Sequence, residues 1–419
     1  MKLYQYLKPI SISLSPNTER DDVFLALKLL FQPWEWKEKN QKSKIKILEK
    51  EFKKYFDIKH AFSFNSGRSA LMAILDSLGL NSDDEILLQA FTCNAVVNPI
   101  LWSNLKPIFV DCDEKTFNID NEDLKKKITS QSKVVIVQHT FGLPADMDEI
   151  LDICQKNNLI LIEDCAHSLG AEYKGKKVGL FGKVAFFSFS RDKIISSVYG
   201  GMAITNDDEL AEKIKKFQEK INKPSYFWIF QQLLHPILMN LLILPTYGFL
   251  GKYLLVLFQR FYILSKAVHW KEKRGQKPDY FPRKMPEALA ELALNQFKKL
   301  ERFNEHRQKI ANYYFKALED SKFELPLRFE TKKHVWLRFV IKHPRAHHII
   351  KNAWRKNILI GDWYALPVAP NNTKLEKMGY KAGDCSNAEK LAKTTLNLPT
   401  HINISEKDAH EIVNFIATF

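Results

Sequence analysis

One lysine, Lys193, stands just beyond an apolar run in the stretch FFSFSRDKIISSVYGG, residues 186–201. A lysine so placed is either a solvated loop charge or an amine held in a pocket. In a pocket, burial and nearby positive charge lower its pKa and let it add to a carbonyl. Asp164 lies 29 residues earlier, with Glu163 at the end of the run LILIED, and His167 follows it by three. Two carboxylates and a histidine could ligate a metal, but no third ligand of suitable spacing stands out. A charged pair at a strand end is also stable as a solvated pair. The functional alternative is that Asp164 pairs with a cationic ring nitrogen while His167 packs on the ring. A third stretch, FNSGRSAL (64–71), reads as a strand end, a turn at Ser66-Gly67 and a helix beginning at Ser69. The free N–H groups and partial positive charge of a helix N-terminus suit a phosphate. Taken alone it is a capped helix. Ser188 and Ser190 could add hydroxyls to the same phosphate. Together the three stretches supply the parts of a pyridoxal phosphate (PLP) site. The helix start takes the phosphate, the acid keeps the pyridine nitrogen protonated so that the ring is an electron sink, and the lysine holds the aldehyde and moves a proton.

These residues need elements to hold them. Short apolar runs read as strands at 60–65, 85–89, 107–111, 133–138, 159–163, 184–189 and 201–205, with helical patterns such as SALMAILDSLGL and DMDEILDICQKN between several of them. Runs apolar on both faces, joined by helical crossovers, predict a mostly parallel, seven-stranded sheet in an α/β domain. Ligands of such sheets sit beyond the carboxyl ends of the strands, where Asp164 and Lys193 fall. After 285 the pattern changes to one long helix (286–320), an alternating segment HVWLRFVIK and the helices PRAHHIIKNAWRKN and SEKDAHEIVNFIATF. These predict a smaller C-terminal α+β domain. The expected division is 1–212 for the N-terminal segment and large domain, 213–279 for an apolar helical hairpin, and 280–419 for the linking helix and small domain.

The hairpin is the unusual part. Residues 226–244 carry no formal charge, and after a PTYG turn a second apolar segment is interrupted by Lys252 and Arg260. The first segment approaches the length of a bilayer span, and the second is too interrupted for one. Basic residues flank both ends, as they do when both ends face the cytoplasm. An interfacial or re-entrant hairpin touching the inner membrane face through 226–264 fits this pattern. So does a helical pair buried against the protein or a partner subunit.

The whole chain of 419 residues carries a net charge of +15, with 45% hydrophobic and 26% charged residues. That composition belongs to a soluble globular protein. The positive balance suits a phosphate-bearing substrate or an anionic surface. Its lysines are spread along the chain without a zinc-finger spacing or an RNA-binding aromatic motif, so nucleic acid is not expected as a partner. Five cysteines, Cys93, Cys112, Cys154, Cys165 and Cys385, form no CxxC pair and point to a reducing cytosol. The N-terminal stretch lacks the apolar core and cleavage site of a leader peptide.

The sequence resembles the sugar-nucleotide aminotransferases of the DegT/DnrJ/StrS type, which are PLP enzymes of fold type I. The likeness is carried by FNSGRSAL, LLQAFTCNAVVNPILW, KPIFVDCDEKTFNID, HTFGLPADMDEI, IEDCAHSLGAEYKGKKVG, FSFSRDK, GGMAITND and LNLPTH, in that order. It implies that Lys193 binds the cofactor aldehyde and Asp164 the ring nitrogen. It implies that His167 and Ser188 lie against the cofactor, and that Gly67, Arg68 and Ser69 hold its phosphate. It also implies a homodimer with active sites at the subunit interface, a glutamate amino donor, and a keto-sugar acceptor, nucleotide- or lipid-linked. The chain departs from the family at several of these places. Arg68 stands where threonine is usual, and Cys93 stands where an aromatic ring often stacks on the cofactor, with Phe91 two residues away. Pro282 takes the place of an asparagine that reaches the partner subunit's phosphate, which leaves Arg283 to substitute. GDWYALPVAP (361–370) replaces a His-Tyr-containing substrate loop. Two rivals remain. One is a same-fold PLP sugar dehydratase, against which Lys193 argues because those enzymes carry histidine there. The other is a non-catalytic PLP-binding or membrane-scaffold protein.

Overall fold

A computed structural model of the chain describes residues 8–37 and 43–419. The reading of the N-terminal stretch as leader-free rests partly on residues 1–7, which lie outside the described residues. All seven apolar runs are strands of one sheet: β1 (His60–Phe64), β2 (Glu85–Gln89), β3 (Lys106–Val110), β4 (Ser132–Gln138), β5 (Ile160–Asp164), β6 (Val184–Ser188) and β7 (Gly201–Thr205). Their order across the sheet is β1-β7-β6-β5-β4-β2-β3. Only β7 runs antiparallel to its neighbours β6 and β1; the other pairs are parallel. The 12 residues between β6 and β7 form a loop with no helix and the strand returns antiparallel, whereas helices make the crossovers from β2 to β3, β3 to β4 and β4 to β5, and the 19 residues 165–183 join the parallel pair β5–β6 without a helix.

The crossover helices bury one stripe each. In α1 (Gly67–Ser77) nearly every residue is buried, because it lies across the sheet. α2 (Asn94–Trp102) follows β2. α3 (Met147–Lys156) buries Met147, Ile150, Ile153 and Cys154, the spacing of one helical face. The apolar hairpin is α4 (Tyr226–Leu238), wide π-helical turns at Met239–Ile243 and Tyr247–Gly251, and α5 (Lys252–Arg260). Ser225 caps α4 by accepting the Trp228 N–H. α4 buries Trp228, Ile229, Leu233 and Ile237 against the large domain, and α5 has no fully buried residue, with Leu255 and Phe258 partly buried against Met239, Ile243, Leu244 and Leu264.

The long helix expected over 286–320 is two helices, α6 (Glu287–Phe297) and α7 (Leu300–Ala317). The Lys299 N–H bonds to the Gln296 carbonyl and tightens the last turn of α6, while its ammonium is drawn to Asp21 and Asp22. No glycine or proline marks this break. Beyond it the antiparallel pair β8 (Phe339–Lys342) and β9 (Thr395–Leu398) packs with α8 (Ala346–Arg355), α9 (Glu406–Ile416) and α7 around one apolar core. Two short pairings tie this smaller α+β layer to the rest. Ile10–Ser11 joins Ile358–Leu359, and Val368–Ala369 joins Thr92–Cys93 at the start of α2.

Candidate active site

Sheet register brings the sequence motifs together. Asp164 closes β5 and sits opposite Phe186 of β6. Ser188 ends β6 opposite Gly201, and Gly201 on its other side faces Phe64, the last residue before the turn into α1. Three carboxyl-end positions are thus neighbours on one edge. Gly201 has to be glycine, since a Cβ there would collide with the backbone of Ser66 and Gly67. A Cβ on Gly67 would come within 3.1 Å of the Ser188 Cβ. At the start of α1 the Ser66 hydroxyl accepts the Ser69 N–H (3.1 Å), and the Ala70 N–H bonds the Ser66 carbonyl. This leaves the first-turn N–H groups of Gly67 and Arg68 outside the helix ladder, pointing beyond its end.

A cavity of about 90 Å³ lies over this edge, lined among others by Gly67, Arg68, Cys93, Asp164, His167, Ser188 and Lys193. The Lys193 loop is fixed from behind. Asn17 donates its side-chain amide to the Lys193 and Ile194 carbonyls, and Arg307 Nη2 donates to Asn17 Oδ1 (2.7 Å) and the Ile194 carbonyl (3.1 Å). Burial pushes the Lys193 amine below the usual lysine range, and the Arg338 charge adds to the shift against the opposing pull of Asp192. Burial raises the Asp164 carboxyl to about 6, against the smaller stabilising effect of the Ala166 N–H it accepts at 2.9 Å. A cation placed beside Asp164 would relieve that cost. His167 is held neutral, its pKa pushed well down by burial and by the Lys193 charge. Its Nδ1 accepts the Phe141 N–H (3.3 Å), so Nε2 carries the proton and faces the Tyr364 hydroxyl at 3.4 Å. Glu163, by contrast, points into the protein. It accepts the N–H groups of Gly179, Phe181 and Gly182 at 2.6–2.7 Å and meets His139 Nε2 at 3.1 Å.

The other expected residues fall as follows. Ser69 donates its hydroxyl to Asn65 Oδ1 (2.6 Å). The Arg68 side chain turns to Glu272, Nε to Oε2 at 2.6 Å, and donates to the Ala267 carbonyl. Cys93 lines the cavity, while Phe91 is buried edge-on to Tyr364. Arg283 lies outside the cavity lining, with its guanidinium on the carbonyls of Asp279 and Pro282. Several lining residues carried no sequence signal of their own: Gln138, Ala267, Val268, Trp363 and Tyr364. The last two belong to the departing segment GDWYALPVAP. The Trp363 indole is stacked by the Arg338 guanidinium (3.6 Å to the ring centroid), lies near-parallel to His167 and has Lys193 Nζ 5.0 Å from its centroid. Arg338 is in turn paired with Asp192 at 3.0 Å.

A buried amine, a buried acid that forms no ion pair among the described residues and a helix N-terminus with N–H groups outside the ladder form the set of groups that would hold a phosphorylated, aldehyde-bearing aromatic cofactor. The absence of a Cβ at Gly67 and Gly201 lets the start of α1 pack directly against the ends of β6 and β7.

Comparison with known proteins agrees. The model of the DegT/DnrJ/EryC1/StrS aminotransferase family matches residues 35–227 and 265–417 and passes over 228–264, most of the hairpin. A "pleiotropic regulatory protein" of Geobacillus stearothermophilus is 30% identical over 379 residues, 90% of this chain and 89% of that one. GDP-perosamine synthase of Caulobacter vibrioides is 41% identical over 167 residues, 40% of this chain and 45% of its own. Among solved structures, Helicobacter pylori PseC, an aminotransferase of pseudoaminic acid biosynthesis, shares the fold with a TM-score of 0.74 at 22% identity, covering 98% of this chain and 99% of its own. The expected fold type and cofactor are therefore those of this protein: the chain belongs to the DegT/DnrJ/EryC1/StrS family and is a PLP-dependent aminotransferase.

Proposed function

We propose that the protein moves an amino group from glutamate to a keto-sugar, nucleotide- or lipid-linked, in surface-glycan or related synthesis. The observation that carries this reading is the convergence of Lys193 and Asp164 on one buried cavity at the start of α1. Bound there, PLP supplies the electron sink of transamination. Lys193 would hold the cofactor aldehyde and serve as the base that carries the proton in the transfer; its lowered pKa suits that role. Asp164 keeps the ring nitrogen charged. His167 and Cys93 bound the ring. The N–H groups of Gly67 and Arg68, with Ser69 and Ser188, form the phosphate end, and Arg283 serves the partner subunit's site in a homodimer. Relatives named GDP-perosamine synthase support a sugar acceptor.

The enzyme works in the cytoplasm, in peripheral contact with the inner membrane face through 226–264, and 213–279 is the unit that makes the contact. Among the described residues, one helix, Tyr226–Ile243, is long and apolar enough to cross a membrane, but 56% of it is buried inside the molecule, which favours lying on the surface over spanning it. The visible spectrum of the purified protein tests the chemistry. Wild type shows a cofactor band that glutamate converts to that of the aminated cofactor, and Lys193→Ala loses the conversion by at least about 10³-fold. A wild-type band that glutamate leaves unchanged would exclude glutamate as donor.

A further inference from the structure

The hairpin does not end at α5. Its return segment, 265–275, runs back over the large domain and is fastened there at every step. Arg191 donates to the carbonyl and hydroxyl of Ser265, whose hydroxyl also donates to Gln232 of α4 (2.7 Å). The Tyr199 hydroxyl donates to the Lys266 carbonyl (2.7 Å). Ala267 and Val268 then form part of the cavity wall. Asn98 and Trp102 of α2 donate to the carbonyls of Glu272 and Gly275, at 3.0 Å each. Central to this segment is the pair Arg68–Glu272. Both side chains are buried, and Glu272 Oε1 is fixed by the His269 N–H at 2.7 Å.

We infer that Glu272 is a positioning residue of the cofactor pocket: through Arg68 it latches the return segment across the phosphate end of the cavity. The proposal rests on the assignment of the phosphate to the start of α1. A carboxylate brought unpaired to that helix start would repel a phosphate, so its presence there requires the Arg68 charge. Arg68, in turn, has its Nε on the Glu272 carboxylate, an Nη on the Ala267 carbonyl and its guanidinium 5.1 Å from the centroid of the Phe281 ring. Its charge is thus committed sideways, and the phosphate is left to the backbone N–H groups of Gly67 and Arg68 with Ser69 and Ser188. The segment lies where the family match resumes after the hairpin, at residue 265, and residues 220–271 contain no Asp or Glu, so Glu272 is the first acid in sequence after the hairpin.

The test is a double-mutant cycle read by the rate at which PLP leaves the holoenzyme, followed by loss of its visible band into a carbonyl trap. If the pair is a latch, Glu272→Gln and Arg68→Thr each speed release about tenfold, and the double variant is no faster than either alone. If instead Arg68 is a phosphate ligand, Glu272→Gln slows release or leaves it unchanged while Arg68→Thr speeds it, and the latch is overturned. Melting of the cofactor-free forms separates a purely structural role, which would lower the apo Tm in proportion to the change in release. Removing one member of a buried pair can prevent folding, so wild type supplies a second measurement. Amide hydrogen exchange across 265–275 slows on PLP binding if the segment is latched at the phosphate, and unchanged exchange there counts against it. A wild type that takes up no PLP would sink the functional reading itself; wild type that binds PLP, with unaltered release in both variants, sinks only the latch.

Discussion

At the scale of single residues, the site gathers groups in the ionisation states that the fold disfavours. Asp164 is the clearest. Its pKa of about 6, against an ordinary 3.8, means that the folded protein prefers the neutral acid. Such a group favours folding fully below its unfolded pKa and loses that contribution as pH rises through the folded value. Cofactor-free Asp164→Asn should therefore melt roughly 2–5 °C above cofactor-free wild type at pH 8, with the gap closing as pH falls through 6 towards 4. A gap independent of pH, or a wild type that is the more stable at pH 8, would contradict the assigned ionisation. The same variant should lose transamination, because asparagine cannot keep a ring nitrogen charged. Much of this was legible in the sequence, because Lys193, Asp164 and the start of α1 sit at strand ends and the register of a parallel sheet brings strand ends together. The opposite orientations of Glu163 and Asp164 also follow from strand alternation, but the three N–H groups awaiting Glu163 come from a turn that no pattern announces. Arg68 was legible as a departure; its partner, 204 residues away in sequence, was not.

At the scale of elements, the hairpin is the feature that the rest of the fold does not require. α4 turns one side to the large domain and leaves Tyr226, Phe227 and Phe230 exposed, and beyond it Leu241, Phe249, Leu250, Tyr253, Val256, Leu257, Phe261 and Tyr262 are exposed as well. Single exposed apolar residues are ordinary; a run of this size marks a contact surface. With Lys252 and Arg260 exposed among them and no acid within residues 220–271, the hairpin's own charge would suit an anionic lipid surface. Against a second copy related by a two-fold axis it would bring like charges together. Placing a charge in the apolar face, as in Phe249→Glu with Val256→Glu, should reduce sedimentation with phosphatidylglycerol vesicles at least about tenfold. The cofactor spectrum should be unchanged, since neither side chain lines the cavity. Undiminished binding to vesicles would remove this face from consideration. The sequence showed the apolar length and flanking lysines of the hairpin, but left open whether it met lipid or protein. That choice depends on what covers the outer side of each helix, and α4 and α5 differ: α4 buries eight residues, whereas α5 buries none fully and packs only Leu255 and Phe258 against the hairpin's own apolar cluster.

Across the whole molecule, the cavity is a joint between layers. The sheet supplies the acid and the lysine loop, the hairpin's return segment supplies one wall, and the small domain supplies Trp363 and Tyr364. The last contribution is held by two tethers: the pairing of Val368–Ala369 with the strand carrying Cys93, and the Asp192–Arg338 ion pair beside Lys193. Trp363 is therefore anchored in the small domain, its backbone N–H on Asn397 Oδ1 at 3.1 Å, while its ring sits beside Lys193 of the large one. This has an optical consequence. Indole emits in the near ultraviolet, where a pyridoxal chromophore absorbs, and energy transfer over so short a separation is nearly complete. Of the eight tryptophans, Trp363 is the one that lies 5.0 Å from Lys193 Nζ. Loading the cofactor should darken wild type by more than it darkens Trp363→Phe. The difference between the two proteins is then a built-in light signal for the small domain seated on the large one.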